Sequence, residues 1–324
     1  MDEFELIGRY FSGRGAARAD VTLGVGDDAA LLQVPAGAEL VAAVDSIVAG
    51  RHFPVDSDAR SVGHRALAVN LSDVAAMGAT PAWATLALTL PDADPAWLEG
   101  FAAGFSELAA RHGVALVGGD TTSGPLAVSV QILGYVPRGT ALLRSGAHAG
   151  DLLAVTGTLG DAGAGLALAT RALGAADSAA AHELVRRFEY PTPRVEFGLA
   201  ARGIASAAMD LSDGLAGDLP KLAAASGVAA HVEVEHLPVS RALESSADPA
   251  RRREWALSAG DDYELLLAVP PERLPALAAR AAQLNLRLTT IGELRRGTGV
   301  KWSAHGAEID IGVRGYDHFR RAST

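Results

Sequence analysis

The chain has 324 residues, of which 49% are hydrophobic and 20% charged, and this length and composition predict about two globular domains. Its 28 basic and 38 acidic residues give a formal net charge of −10, which argues against general binding to nucleic acid or anionic membranes. Cysteine is absent, which excludes disulfides, thiolate catalysis and cysteine-ligated metal centres.

Targeting segments and the commonest enzyme motifs are also missing. The start of the chain, Met1-Asp2-Glu3-Phe4, is acidic where a signal peptide is basic. The longest uncharged stretch, 74–91, is interrupted by glycine and proline, so it does not read as a membrane span. We therefore expect a soluble, cytoplasmic protein. Lysine occurs only at Lys221 and Lys301, and neither belongs to a P-loop.

Helices and strands alternate in the first half, as apolar spacing and turn residues predict. Asp58 or Ser57 can cap a long helix, and Asp94 followed by proline starts another. The predicted helices are 4–11, 58–78 and 95–113, and the predicted strands are 40–44 ending at Asp45, 82–90, 115–117 ending at Gly118-Gly119-Asp120, and 126–132.

The segment 137–151 is rich in glycine, arginine and turn residues, which predicts a boundary between domains 1–137 and 138–324. A second mixed set of elements follows it, with strands at 152–155, 263–269 and 286–291 and helices at 161–173, 213–225 and 271–284. The pattern favours an α/β fold with two domains of mixed architecture.

Aspartates recur beside apolar or glycine-rich segments. A buried carboxylate is costly unless it is paired or bound to metal, and lysine is nearly absent here. Hard divalent cations, which take oxygen ligands, are therefore natural partners. Turn formation and helix capping remain the alternative for any single aspartate. Metal binding is favoured for four of them: Asp28, Asp73, Asp120 and Asp210.

Two glycine-rich segments leave their roles open. The segment 24–29 formally matches a relaxed dinucleotide fingerprint, but Asp27 and Asp28 would repel a pyrophosphate. The segment 156–163 enters a predicted helix, so its backbone N–H groups could cradle a phosphate. It could equally be a plain turn between a strand and a helix.

Several motifs occur in an order that resembles the thiamine-monophosphate kinases, within the aminoimidazole ribonucleotide synthetase superfamily. The motifs span essentially the whole chain, and an internal echo links 70–73 with 210–213. They are Gly26-Asp27-Asp28-Ala29-Ala30, Val48-Ala49-Gly50-Arg51-His52-Phe53, Asn70-Leu71-Ser72-Asp73-Val74-Ala75-Ala76-Met77-Gly78-Ala79, Gly118-Gly119-Asp120-Thr121-Thr122, Arg144-Ser145-Gly146-Ala147, Met209-Asp210-Leu211-Ser212-Asp213-Gly214, Asp261-Asp262-Tyr263-Glu264-Leu265 and Gly315-Tyr316-Asp317-His318-Phe319.

The resemblance implies a two-domain α/β fold with mixed sheets, in which the amino-terminal domain forms a homodimer through its sheet. It also implies transfer of the ATP γ-phosphoryl group to thiamine monophosphate with several Mg²⁺ ions and no covalent nucleophile on the enzyme. The residues so implied are Asp28, Asp45, Asp73, Asp120, Asp210 and Asp213 for metal, Gly119, Asp120, Arg144 and Ser212 for ATP, and His52, Asp261 and Tyr316 for thiamine monophosphate.

The chain departs from that family's pattern at two places. Ala43 and Val44 stand before Asp45, where the family often has hydroxyl residues, and Asp261 stands where it commonly has glutamate. The alternatives are another ATP-dependent synthetase of the superfamily, making selenophosphate or an amidine, or a non-catalytic maturation scaffold. The lack of cysteine argues against the selenium enzyme, and the intact aspartate motifs argue against a scaffold.

Overall fold

The computed structural model describes residues 3–172, 178–313 and 315–316. The chain divides into two compact units, one ending at Ala141 and the other beginning at Leu142. Within these described ranges, no helix has both the length and the apolar character needed to cross a membrane.

The first unit is built around a four-stranded sheet with the order β3-β6-β4-β5 and a separate hairpin of β1 and β2. In the four-stranded sheet, β4 and β5 are parallel and the other pairs are antiparallel. Its elements are α1 (Glu3–Tyr10), β1 (Val21–Leu23), β2 (Leu31–Leu32), β3 (Ala38–Val48), α2 (Ala59–Ala76), β4 (Thr80–Leu90), α3 (Pro95–Arg111), β5 (Ala115–Ser123) and β6 (Ala127–Pro137).

Helices α2 and α3 begin where the sequence predicts and pack closely against each other. The Asp58 side chain accepts the Ser61 N–H, and the Asp94 side chain accepts the Ala96 N–H. A Cβ added at Gly63 would lie 2.1 Å from the Phe101 carbonyl oxygen, which is far inside van der Waals contact. The absence of a side chain there permits the close helix–helix approach.

Several strands extend beyond their predicted ends, and two of these extensions include predicted site residues. Strand β3 continues through Asp45 to Val48, because Asp45 stays in register with Val130 of β6. Strand β5 continues through Asp120 to Ser123, because Asp120 stays in register with Ala87 of β4. Both predictions ended the strand at the last apolar residue, whereas backbone pairing continues past it. Asp45 and Asp120 are therefore strand residues rather than residues that follow a strand.

The second unit contains a seven-stranded sheet with the order β13-β12-β9-β11-β7-β10-β8. All pairs are antiparallel except β12 with β9. Its elements are β7 (Leu152–Thr156), α4 (Asp161–Ala169), α5 (Ala179–Glu189), α6 (Val195–Ala201), β8 (Ala207–Asp210), α7 (Leu215–Ser226), β9 (Ala229–Glu233), α8 (Arg241–Ser246), α9 (Pro249–Ser258), β10 (Leu265–Val269), α10 (Leu274–Gln283), β11 (Leu288–Arg295), β12 (Val300–Ala304) and β13 (Ala307–Ile309).

Candidate functional site

Two acidic segments of the second unit lie against each other at the end of β8. The Asp261 N–H donates to the Ser212 carbonyl oxygen at 3.0 Å, and the Tyr263 N–H donates to the Leu211 carbonyl oxygen at 3.0 Å. Asp210 pairs with Leu265 across the sheet. The structure thus brings together residues predicted for metal (Asp210), ATP (Ser212) and substrate (Asp261).

Tyr316 joins this group through its backbone. Its N–H donates to the carbonyl oxygen of Asp213 at 3.0 Å. The preceding residue packs against helix α7, where a Cβ added at Gly217 would lie 2.9 Å from the Gly315 Cα. Two predicted site residues from segments a hundred positions apart are therefore neighbours. The rest of the terminal motif, residues 317–319, lies outside the described residues.

Asp213 is held by two side chains from helix α7. The Lys221 ammonium donates to the Asp213 carboxylate at 2.6 Å and to the Asp218 carboxylate at 2.9 Å. The Asp213 N–H donates to the other oxygen of Asp218 at 2.9 Å. Burial raises the pKa of the Asp218 carboxyl group, although its hydrogen bond from Lys221 opposes that rise. Sequence reasoning missed Asp218, although its spacing of five residues after Asp213, at the start of a helix, was a usable signal.

Asp261 and Tyr263 occupy a strained conformation. Their φ angles are 71° and 50°, in the left-handed region that costs a residue with a side chain about 1–3 kcal/mol. The Tyr263 hydroxyl donates to the Asp261 carboxylate at 3.2 Å. This backbone explains why β10 begins at Leu265 and not at Tyr263, as the sequence predicted.

The first unit contains a cavity of about 640 Å³ that combines predicted metal and ATP residues. A Cβ added at Gly119 would lie 1.9 Å from the Leu86 carbonyl oxygen, and its φ is +149°, so glycine is required there. The cavity is lined by Ile7, Phe11, Val25, Gly26, Asp27, Asp28, Ala29, Ala30, Thr85, Leu86, Leu116, Val117, Gly118, Gly119, Asp120 and Thr121.

A buried asparagine, Asn70, binds the backbone of Asp45 and lies three positions before Asp73 on α2, and it was not among the predicted site residues. The Asn70 side chain accepts the Asp45 N–H at 3.0 Å and donates to the Ala66 carbonyl oxygen at 2.9 Å. Asp73 follows Asn70 by three positions on α2, so the two residues share a helix face. Asn70 stands in the quoted motif, and a polar amide within that largely apolar segment was the available signal.

His52 and Arg144 are each fixed by a local hydrogen bond. The His52 Nδ1 accepts the Val48 N–H at 3.0 Å, which leaves the ring proton of the neutral imidazole on Nε2. The Arg144 carbonyl oxygen accepts the Ser226 hydroxyl at 2.6 Å, so its backbone lies at the carboxyl end of α7. Ser212 precedes the amino end of that helix by three residues, and the 12 residues of α7 span about 18 Å at 1.5 Å per residue. The backbones of Arg144 and Ser212 therefore lie near opposite ends of α7.

The burial argument for metal binding is wrong for two of the four aspartates that it favoured, Asp28 and Asp120. Asp28, Asp45 and Asp120 are exposed, while Asp73 and Asp213 are half-buried and Asp210 is buried. Strand pairing carries Asp45 and Asp120 to exposed sheet positions, which an apolar neighbourhood in sequence does not reveal, and Asp28 lies in the exposed connection between β1 and β2.

Within the described ranges, no three acidic or histidine side chains form a group that could hold a metal ion. Mg²⁺ usually takes one or two carboxylates together with waters and substrate phosphates, and the exposed carboxylates of Asp28 and Asp120 have the oxygen atoms that it prefers.

Neither glycine-rich segment has the geometry of the motif that it resembles in sequence. The segment 24–29 joins β1 to β2 in an antiparallel pair and opens no helix, which excludes the dinucleotide fingerprint. At the start of α4, the N–H groups of Gly160 and Ala162 donate to the Asp262 carboxylate at 2.6 and 3.1 Å. The Asp262 side chain therefore occupies the backbone N–H groups that a phosphate would use.

Comparisons with known proteins identify both units. Residues 26–136 match the amino-terminal domain model of AIR synthase related proteins, and residues 148–303 match the carboxy-terminal domain model. The thiamine-monophosphate kinase of Salmonella typhimurium is 47% identical over 318 residues, covering 98% of each chain. The crystal structure of thiamine-monophosphate kinase from Stenotrophomonas maltophilia has a TM-score of 0.85 and 48% identity, covering 90% of this chain and 93% of that one. AaThiL complexed with AMPPCP and TMP has a TM-score of 0.78 and 32% identity, covering 91% and 92%.

Proposed function

The chain belongs to the thiamine-monophosphate kinase family of AIR synthase related proteins, and from that premise we propose how its residues divide the work. It is an ATP-dependent phosphotransferase that converts thiamine monophosphate to thiamine diphosphate. The acceptor phosphate has a second pKa of about 6, so it is largely ionised at pH 7 and needs little help from a general base. The difficulty lies in bringing two polyanions together.

Carboxylates in both units would hold Mg²⁺. The bound ions would supply charge neutralisation and orientation of the phosphate groups. Exposed Asp28 and Asp120 line the cavity of the first unit and are accessible to a nucleotide-bound ion. The metal set we propose is Asp28, Asp45, Asp73, Asp120, Asp210 and Asp213.

Backbone and side-chain polar groups would bind the two substrates. We assign Gly119, Asp120, Arg144 and Ser212 to ATP. We assign His52, Asp261 and Tyr316 to thiamine monophosphate. Support for the second unit's assignments comes from its hydrogen bonds, because Ser212 and Asp213 bind the backbones of Asp261 and Tyr316 directly. This link between nucleotide-side and substrate-side residues is the single observation that carries the proposal.

Transfer would be direct, from ATP to thiamine monophosphate. The chain contains no cysteine, and the aspartates that could serve as nucleophiles are those assigned to metal. The acceptor's own phosphate oxygen is a ready nucleophile, so a phosphorylated enzyme would add a step without removing a barrier.

The working form would be a homodimer that pairs through the first unit's sheet, acting in the cytoplasm, where ATP is available. Large apolar side chains on strand β3 support this pairing, since Leu40 is 54% exposed and Val44 is 63% exposed. Leu40 and Val44 lie on the same face of β3, and contiguous exposed apolar patches mark interaction sites.

A turnover assay with Mg²⁺-ATP separates this function from its alternatives. Thiamine monophosphate, thiamine and an aminoimidazole precursor are each offered as acceptor, and products are identified by mass. We expect thiamine diphosphate from thiamine monophosphate alone, with one ADP per product. An amidine product would identify a synthetase, and ATP hydrolysis without transfer to any acceptor would contradict the kinase assignment. Asp248→Asn, in an exposed helix cap, is the control that should remain active.

A further inference from the structure

The segment 260–264 anchors two acidic side chains inside the second unit. Asp262 and Glu264 are 5% and 0% exposed, whereas Asp261 is only half-buried. Asp261 and Tyr263, which alternate with them, have the positive φ angles and contact each other through the tyrosine hydroxyl. The buried side chains of Asp262 and Glu264 therefore hold the intervening backbone in a left-handed conformation that residues with side chains usually avoid.

Glu264 is held by two arginines and a threonine. The Arg194 guanidinium forms a bidentate pair with its carboxylate, and the Arg187 guanidinium donates to it at 2.9 Å. The Thr156 hydroxyl donates to it at 2.7 Å and accepts the Leu265 N–H at 2.8 Å. Although burial raises the pKa of Glu264, the two arginines outweigh it and keep the carboxyl group ionised.

The glycine-rich segment 156–163 is the receptacle for these anchors. A Cβ added at Gly157 would lie 2.0 Å from the Glu264 carboxylate, so only glycine leaves room for that side chain. The Asp262 carboxylate accepts two backbone N–H groups at the start of helix α4, and the Arg187 guanidinium also lies 3.8 Å from the Asp161 carboxylate. The motif that resembled a phosphate cradle thus binds the chain's own carboxylates.

The network meets the candidate site through backbone hydrogen bonds. The Glu264 carbonyl oxygen accepts the Leu211 N–H at 2.9 Å. In turn, the N–H groups of Asp261 and Tyr263 donate to the carbonyl oxygens of the same 211–212 segment. Any shift of Glu264 is therefore transmitted to Asp261, which stands among the residues assigned to thiamine monophosphate.

We propose that Arg187, Arg194 and Glu264 are positioning residues that fix Asp261 for binding thiamine monophosphate. The inference rests on the proposed function, because it takes Asp261 as a substrate contact. It predicts that loosening the network weakens binding of thiamine monophosphate much more than binding of ATP.

The test compares Arg194→Lys with the wild-type chain. Lysine keeps the positive charge but cannot form the bidentate pair, so the protein should fold while Glu264 loses its fixed orientation. We expect the KM for thiamine monophosphate to rise about tenfold, the KM for ATP to change less than twofold, and kcat to fall less than threefold. If Arg194→Lys does not fold, Arg187→Lys, which removes a single hydrogen bond to Glu264, provides the same comparison.

Asp151→Asn is the matched control for stability. Asp151 is also a buried carboxylate of this unit, at 5% exposed, but its partners are the His148 N–H and the Ser206 hydroxyl. It should lower the melting temperature and leave both KM values unchanged. Equal changes in both KM values for Arg194→Lys, or no change in either, would overturn the proposal.

Asp261→Ala separates a failure of this inference from a failure of the proposed function. If the wild type converts thiamine monophosphate and Asp261→Ala raises its KM while Arg194→Lys does not, the positioning role alone is wrong. If the wild type does not convert thiamine monophosphate, the proposed function itself is wrong.

Discussion

The carboxylate of Asp218 accepts the backbone N–H of Asp213 at 2.9 Å, five residues earlier in the chain. The remaining oxygen of Asp218 binds Lys221, which also contacts the Asp213 side chain. The buried Asp218 carboxylate thus fixes the backbone of Asp213, which is assigned to metal, and also holds the Lys221 ammonium group that pairs with the Asp213 side chain. The pair explains how a loop without regular structure can hold Asp213 in place.

Asp218→Ala should lower the free energy of unfolding by about 2 kcal/mol, because it leaves a backbone N–H and an ammonium group without their buried acceptor. It should also raise the KM for Mg²⁺-ATP, since Asp213 loses its support. Lys221→Met should cost less than about 1 kcal/mol, because the Lys221 side chain is 46% exposed. Urea unfolding and steady-state kinetics measure both. Equal stability losses for the two variants would contradict this view of Asp218.

Gly119→Ala should destabilise the first unit by about 3 kcal/mol, because the added methyl group collides with the Leu86 carbonyl oxygen. Displacement of β5 should also raise the KM for ATP, since Asp120 follows directly. Gly118→Ala is the matched control: its added Cβ would meet only the Thr85 methyl group, at 3.9 Å. Thermal unfolding of the two variants checks the contrast, and similar melting temperatures would refute it.

Asp73→Asn should reduce kcat about 100-fold or more while leaving the fold intact, because the amide removes a charge at nearly constant volume. Asp56→Asn, an exposed aspartate of the same unit, should retain full activity. The measurement is turnover at limiting Mg²⁺ together with a melting curve. A variant that melts normally and keeps near wild-type activity would remove Asp73 from the metal set.

The ion pairs of Glu264 should make the free energy of unfolding depend on pH. The pKa of Glu264 is lowered in the folded chain, so its ion pairs stabilise the fold above the unfolded-state pKa of about 4.3 and are lost as the pH falls through the folded-state value. The difference in unfolding free energy between wild type and Glu264→Gln should therefore be largest near pH 7, at about 3–5 kcal/mol. This difference in unfolding free energy should become smaller below pH 4. A difference that is constant with pH would show that Glu264 contributes by packing.

Local signals predicted much of the fold because caps and glycines act locally. Asp58 and Asp94 begin their helices as expected, and Gly78 ends α2 with a φ of +61°. The predicted ends of strands were wrong because pairing with the neighbouring strand decides where a strand ends, as at Asp45 and Asp120. Helices α5, α6, α8 and α9 were missed. The predicted helix 161–173 ends at Ala169, and 271–284 divides into a 3₁₀ turn (Pro271–Arg273) and α10.

The candidate site was predicted from motifs, but its supporting residues were not. Asn70, Asp218 and Arg194 act through contacts between distant segments, which spacing along the chain does not show. The acidic Asp262 and Glu264 stood in a quoted motif, yet their partners in α4, α5 and the 191–194 connector became evident only in three dimensions.

Stereochemistry at phosphorus decides between direct transfer and a phosphorylated enzyme. ATP made chiral at the γ-phosphate with oxygen isotopes is turned over with thiamine monophosphate, and the configuration of the terminal phosphate of thiamine diphosphate is determined. Direct transfer predicts inversion, together with no ADP–ATP exchange when thiamine monophosphate is absent. Overall retention, or rapid exchange without the acceptor, would contradict direct transfer and make Asp210 and Asp213 the first residues to examine for a phosphoryl label.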